Sequence, residues 1–169
     1  MSEYFAIEVD TSAIDEFVDD LGQVPESLGR HLHNAMDGTL DLLIDWTSAE
    51  TPVNYGLLRG SWTKEISGEA VNLTGEMFTP LIYGWPVEQG RRPGKMPPVD
   101  AIKIWARRKL GLSGEELDQA AFLIARAIGK RGTEGAHMVE QAYNRARSGP
   151  EIERIWGYEI EQFLEELAG

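Results

Sequence analysis

The sequence contains no cysteine among its 169 residues, which excludes disulfide frameworks, thiolate zinc sites and cysteine nucleophiles. Its longest uninterrupted apolar run, residues 120–125, is far shorter than the roughly 20 residues of a membrane-spanning helix. The first four residues, Met1–Tyr4, lack the basic start and the apolar run of a signal peptide. We therefore expect a soluble, unexported chain that folds without cross-links.

Basic residues are scarce at both ends of the chain, whose formal net charge is −12. Residues 1–50 contain twelve acids and a single base, and residues 149–169 contain six acids and a single base. Residues 51–148 contain fourteen bases and ten acids. Such segregation bears on partners, not on the fold. It indicates either solvated helix faces or head-to-tail self-association, in which an acidic end of one copy meets the basic middle of the next.

Helical periodicity dominates the chain. Apolar residues recur at spacings of three and four from Leu28 to Ile44 and predict a long amphipathic helix that Pro52 ends. Upstream, residues 5–9 alternate like a short strand and residues 12–22 match a helix. Further helical patterns begin near residues 97, 113, 136 and 149. Ser113 and Glu116 have the spacing of a capping box for the second of these.

A small antiparallel sheet follows the long helix. Two strand-like segments, residues 61–66 and 69–73, flank a predicted turn at Ser67 and Gly68. Residues 81–87 predict a third strand at an edge, because prolines interrupt it. We therefore predict a single α+β domain with a long N-terminal amphipathic helix, a small antiparallel sheet and C-terminal helices. Its parts are the N-terminal strand and helices (1–50), the sheet (51–90), a loop (91–98), a helical part (99–148) and an acidic C-terminal helix (149–169).

No constellation of catalytic residues emerges, so we predict no enzyme activity and no cofactor. His31 and His33 lie about 200° apart around a helix and cannot bind one metal ion together. Asp37, Asp41 and Asp45 share a helix face that suits either solvent or a divalent cation. A metal-dependent nuclease that uses this face therefore stays open as an alternative.

Eight basic residues of the middle segment are candidates for a phosphate-binding patch or for pairing between subunits. Attraction to nucleic acid is weakened by the acidity of the rest of the chain, and an independent DNA-binding module is a second alternative. The eight are Arg91, Arg92, Lys95, Arg107, Arg108, Lys109, Lys130 and Arg131.

Two motifs resemble the signature of a known family. Residues 51–62 read TPVNYGLLRGSW and residues 87–90 read VEQG. This ordered pair resembles the tailed-phage neck proteins, a family of head-tail joining, tail-completion and minor tail proteins. Its members typically carry Thr-Pro-Val-Asp-Thr-Gly-x-Leu-Arg-x-Ser and then Val-Glu-x-Gly-Thr, where this chain has Asn54, Tyr55 and Arg91 in place of Asp, Thr and Thr. A longer subgroup also shares residues 97–102, 109–112, 121–128 and 131–133, so that the resemblance covers about residues 28–146.

The resemblance implies a structural virion protein of the head-tail junction of a tailed phage or prophage. It implies a homo-oligomeric ring, with a hexamer favoured, that contacts head-connector proteins and tail-tube or tail-terminator proteins. Assembly would occur in the cytoplasm of the host bacterium, with no membrane involved and with contact to packaged DNA left open. A tail-terminator-like ring protein is the alternative within this class.

The motif residues also have physical roles that need no catalysis. Pro52, Gly56 and Gly90 are predicted turn residues, since proline stops a helix and glycine accepts a positive φ. Arg59 is predicted to pair with a carboxylate or carbonyl cluster, with Glu88 as one candidate. The loop around residues 89–98 is expected to be mobile in the free subunit. The assembly candidates are Arg59, Glu88, Arg91, Arg92, Lys95, Arg107 and Arg108.

Overall fold

The computed structural model describes residues 26–69 and 72–168, and the predicted strand and helix before residue 25 lie outside these ranges. The described residues form six helices and one two-stranded antiparallel sheet, so the predicted α+β class is confirmed. In chain order the elements are α1 (Glu26–Glu50), β1 (Thr63–Glu69), β2 (Asn72–Phe78), α2 (Gly84–Gln89), α3 (Val99–Leu110), α4 (Gly114–Arg131), α5 (Met138–Ser148) and α6 (Glu151–Ala168).

The chain forms two compact units. The first unit contains the described residues up to Ile82 together with those from Met138 onward, and the second unit is Tyr83–His137. The second unit is therefore an insertion into the sequence of the first. Among the described residues, none of the helices combines the length and the apolarity that a membrane crossing requires.

Helix α1 is the centre of the first unit. It packs against α5, α6 and both strands, because its apolar residues at spacings of three and four form one buried stripe. Gly75 of β2 lets the sheet approach α1 closely, since a Cβ at this position would lie 2.6 Å from Met36 Sδ. The buried stripe consists of Leu28, Leu32, Ala35, Met36, Leu40, Leu43 and Trp46.

The hairpin of β1 and β2 is confirmed, but its turn is not where the sequence predicts it. Ser67 and Gly68 lie inside β1, where they pair with Thr74 and Leu73. Gly68 has a φ of 99°, and a Cβ there would clash with the carbonyl oxygen of Asn72. Glycine is therefore needed at position 68 for the close approach of the two strands and not for a turn.

The predicted third strand is wrong, because residues 84–89 form the short helix α2. Pro86 is compatible with this helix, since N–H groups in the first helical turn need no intrahelical acceptor. The Val87 N–H then donates to the Tyr83 carbonyl over 3.2 Å. A pattern of prolines that weakens a strand is therefore equally suited to the start of a helix.

The capping box predicted for α4 does not form. Ser113 occupies the position before the helix, but its side chain makes no capping hydrogen bond. Its carbonyl instead accepts the Leu117 N–H over 3.4 Å, and Gly114 between them takes a φ of 58°. Backbone geometry at Gly114, which the motif does not encode, decides how this helix begins.

Candidate functional site

The first motif forms a loop whose two ends are joined by side chains. The Thr51 hydroxyl donates to the Thr47 carbonyl over 2.7 Å and accepts the indole N–H of Trp62 over 3.1 Å. Thr51 and Trp62 are both buried, at 3% and 7% exposure. The Ser48 hydroxyl adds a bond of 3.1 Å to the Arg59 carbonyl. The loop is thus attached to the end of α1 on both of its sides.

The turn inside this loop follows the sequence prediction. Helix α1 ends at Glu50, just before Pro52, and Gly56 takes a φ of 76°. The Gly56 carbonyl accepts the Gly60 N–H over 2.9 Å, and the Ser61 hydroxyl donates to the Leu58 carbonyl over 2.9 Å. Helix α1 thus ends before Pro52, and Gly56 has the positive φ that glycine accepts readily.

The apolar loop, residues 52–60, presents three large apolar side chains on the surface. Val53, Tyr55 and Leu57 are 41%, 57% and 65% exposed. Arg59 is exposed as well, and its side chain forms no ion pair or hydrogen bond with the part of the chain that the structure describes. Among the described residues, Arg59 therefore does not form the pairing that the sequence predicts for it.

The second motif is half of a backbone pairing that closes the second unit. The carbonyls of Val87 and Glu88, in the last turn of α2, accept the N–H groups of Ala136 and His137 over 2.8 and 3.1 Å. Carbonyls at a helix end lack intrahelical donors, so these bonds satisfy them. In addition, Arg91 and Thr133 exchange two backbone hydrogen bonds. We call the pairing of residues 87–91 with residues 133–137 the closing ladder.

Three glycines allow the closing ladder to form. Gly90 and Gly132 have φ angles of 75° and 76°. A Cβ at Gly90, Gly132 or Gly135 would clash with a carbonyl oxygen of the opposing segment. Gly90 is thus a conformationally required glycine, as predicted, while its backbone contact with residues 133–135 had no signal in the sequence. The two separate stretches that resemble the family, residues 87–90 and 131–133, meet here.

Glu88 differs from the other assembly candidates because it is buried, at 2% exposure. A buried side chain offers no surface to a partner, so Glu88 is no longer a candidate for an assembly contact. Arg91, Arg92, Lys95, Arg107 and Arg108 are exposed.

The basic loop of residues 91–98 is attached to the end of α4. Besides the bonds of Arg91, the Gly94 N–H donates to the Gly129 carbonyl over 2.8 Å. The Arg91 guanidinium donates to the Lys95 carbonyl, which ties the loop to itself. Backbone hydrogen bonds therefore anchor the loop at Arg91 and Gly94, while its mobility in the free subunit stays a prediction. The anchoring gathers one basic cluster, which consists of the exposed residues Arg91, Arg92, Lys95, Lys130 and Arg131.

The other predicted bases lie at the opposite end of the α3–α4 pair. Three residues, 111–113, connect the two helices, and an ion pair of 2.8 Å joins Lys103 to Asp118, so the helices run antiparallel. The hydrogen bond from Lys103 to Asp118 and the charge of that carboxylate raise the pKa of Lys103. The 18 residues of α4 span about 27 Å at 1.5 Å per residue. The eight bases thus form two separate clusters and not one patch.

The acidic face of α1 is occupied by a lysine from the sheet. Lys64 Nζ lies 2.6 Å from Asp37 Oδ1 and 2.7 Å from Asp41 Oδ1. Burial lowers the pKa of Lys64, but its hydrogen bonds to the two carboxylates and their charges outweigh burial, so the pKa is raised. Asp45 lies one turn further along α1 and is exposed. Within residues 26–69 and 72–168, no three His, Asp or Glu side chains are grouped to hold a metal ion.

Helix α6 is fixed to α1 by polar contacts that the sequence did not indicate. His31 is buried, with Nδ1 2.7 Å from Glu159 and Nε2 3.3 Å from Glu166. Arg30 binds the same Glu166 over 2.6 Å, and the Trp156 indole donates to Thr39 over 3.0 Å. Acidic residues of α6 that looked like a solvated face therefore bind α1. No motif links these residues, since they come together only when the two helices pack.

Comparison with known protein families, with curated protein sequences and with solved structures finds no significant match. The motifs and the geometry described above are therefore the observations that bear on function.

Proposed function

We propose that this chain is a structural virion protein of a tailed phage or prophage that acts in head-tail joining as a tail-completion protein and assembles as a homo-oligomeric ring. The observation that carries the proposal is that the basic and acidic residues are divided between the two structural units. The second unit has ten basic and six acidic residues, whereas the remainder of the chain has six basic and 22 acidic residues. Copies with two oppositely charged units attract one another head to tail, as a ring requires.

The roles of the motif residues support the proposal. Thr51, Trp62, Gly56, Gly90 and Gly132 hold backbone segments in place through hydrogen bonds and close contacts. Support of this kind holds the apolar loop in place within the first unit and the basic cluster in place within the second unit. Exposed apolar groups in such a setting are typical of protein interaction sites.

The acidic face of α1 gives little support to the metal-dependent nuclease. A divalent cation at Asp37 and Asp41 would have to displace the ammonium group of Lys64, which contacts both carboxylates. Contact with packaged DNA is supported by a more specific observation, the five exposed bases of the basic cluster. Binding of a DNA duplex that weakens steeply with added salt, and that Arg92→Glu with Lys130→Glu abolishes, is the result expected for such contact.

Deletion of the reading frame in the phage or prophage that carries it tests the proposal. We expect lysates with DNA-filled heads and separate tails of normal length, and joined particles again when the parental gene is supplied in trans. Overlong tails would instead identify a tail terminator, because a tube that lacks its terminal ring continues to polymerise. Joined, infectious particles at the parental frequency would overturn the proposal.

A further inference from the structure

Helix α6 carries an apolar stripe that the other described residues leave exposed. Ile160, Leu164 and Leu167 follow one another at spacings of four and three and are 44%, 51% and 53% exposed. They lie beside, and not on, the face that buries Phe163 against α1. Two exposed acids lie near its N-terminal end: Glu153 precedes the stripe by two turns, and Glu161 is adjacent to Ile160. We call these three apolar residues the α6 stripe.

Helix α4 of the second unit has an outward face of complementary character. Its buried residues, which include Ala121 and Ala125, face α3, and Phe122 and Leu123 on the other side are 48% and 59% exposed. Arg126 and Lys130 follow one and two turns later on that outward side and are exposed. An apolar centre is thus followed by positive charge on α4, whereas negative charge lies at the N-terminal end of the α6 stripe.

We propose that the α6 stripe of one copy docks on the outward face of α4 in a second copy, with the two helices antiparallel. When Phe122 lies against Leu164, the antiparallel direction brings Arg126 and Lys130 alongside Glu161 and Glu153. A parallel direction would instead place the exposed acids at the start of α4, Glu115 and Glu116, opposite the part of α6 between Glu153 and Glu161. Charge complementarity therefore selects both the occupant of the stripe and its direction.

The contact joins two different surfaces, so each copy offers one of each and the association continues head to tail until a ring closes. The apolar area is small beside the roughly 800 Å² per partner of a stable interface, so a single contact is weak and sensitive to salt. This inference rests on the proposed function only for its biological use, because the contact is a property of the purified chain.

A charge-swap experiment tests the contact. The parent should sediment as a concentration-dependent oligomer at low salt. The acid variant, Glu153→Lys with Glu161→Lys, and the base variant, Arg126→Glu with Lys130→Glu, should each associate at least tenfold more weakly, because each faces itself with like charges. An equimolar mixture of the two should associate like the parent, since every contact then joins opposite charges. The matched control, Glu26→Lys with Glu50→Lys, changes the same charge on exposed positions of α1 and should associate like the parent.

Engineered cysteines give a second readout, since the chain has none of its own. Phe122→Cys with Leu164→Cys should form ladders of disulfide-linked oligomers under mild oxidation. The control Tyr143→Cys with Leu164→Cys, which uses a side chain of similar exposure on α5, should not. Dimers from Leu164→Cys alone would show that two α6 helices pair with each other, which would overturn the proposed occupant.

A monomeric parent, or two swapped variants that do not restore association when mixed, would also overturn the contact. These results are distinguishable from failure of the proposed function, which is judged on particles from the phage and not on the purified chain. Suppose that the purified chain shows the expected charge-swap behaviour but the phage needs no copy of this gene. The contact would then stand, and the head-tail role would be rejected.

Discussion

Thr51 and Trp62 connect the two sides of the apolar loop through one buried hydrogen bond. Thr51→Val keeps the shape of the side chain but removes the acceptor for the Trp62 indole and the donor to the Thr47 carbonyl. Loss of buried hydrogen bonds of this kind costs about 1 to 3 kcal/mol. We expect thermal or urea unfolding to show this loss, while Thr63→Val, at an exposed position of β1, stays within about 0.5 kcal/mol of the parent. Equal effects of the two changes would contradict the role of Thr51.

Arg59 is a surface residue in spite of its place in the first motif. Because its side chain binds nothing among the described residues, Arg59→Ala should change the free energy of unfolding by no more than about 0.5 kcal/mol. If the proposed function holds, the same change should reduce the frequency of joined heads and tails. A large drop in the melting point would show that Arg59 has a partner inside the subunit after all.

Lys64 gives the first unit a pH-dependent contribution at the alkaline end. Its folded-state pKa is raised above the ordinary value of 10.5, so the stabilisation is complete below that pH and is lost as the pH rises through the folded-state pKa. The difference in melting point between the parent and Lys64→Met should therefore be largest near pH 8 and shrink above about pH 10.5. Lys95→Met, which removes a lysine from the exposed basic loop, serves as the control. A Lys64→Met difference that persists above pH 11 would assign the effect to packing.

At the scale of elements, the closing ladder sets the geometry of the second unit. Gly132→Ala places a Cβ against the Arg91 carbonyl at a positive φ, which is unfavourable for sterics and for backbone conformation alike. The conformational part alone is about 1 to 2 kcal/mol, and the clash adds to it, so we expect a loss of at least about 2 kcal/mol. Hydrogen exchange should locate the loss in residues 83–137. Gly94→Ala is the matched control, because a Cβ at Gly94 meets nothing within 4 Å.

At the scale of the whole molecule, the basic cluster is separable from folding. Arg91→Glu with Arg92→Glu changes exposed side chains and removes one exposed hydrogen bond, from the Arg91 guanidinium to the Lys95 carbonyl, so the free energy of unfolding should stay within about 0.5 kcal/mol of the parent. The backbone bonds of Arg91 to Thr133 remain. Under the proposed function, particles carrying this variant should fail to join heads to tails. Parental particle yield from the double reversal would show that the cluster makes no assembly contact.

The sequence by itself determined the features that depend on local periodicity and on single residues. The stripe from Leu28 to Leu43 predicted α1, because burial on one side of a helix requires that spacing. Pro52 and Gly56 predicted a helix end and a positive φ, because their backbone restrictions act without tertiary context. The segregation of charge along the chain was also evident, because it requires only a count of acidic and basic residues in each segment.

Only the tertiary structure decided which distant residues meet. Lys64 reaches Asp37 and Asp41, Glu159 reaches His31, and residues 87–91 pair with residues 133–137. The packing of the elements also divides the eight bases into two clusters, buries Glu88 and leaves Arg59 exposed. The physical reason is that side-chain partners and close backbone contacts are fixed by how elements pack, whereas a single sequence contains the periodicity of each element but not the distances between them.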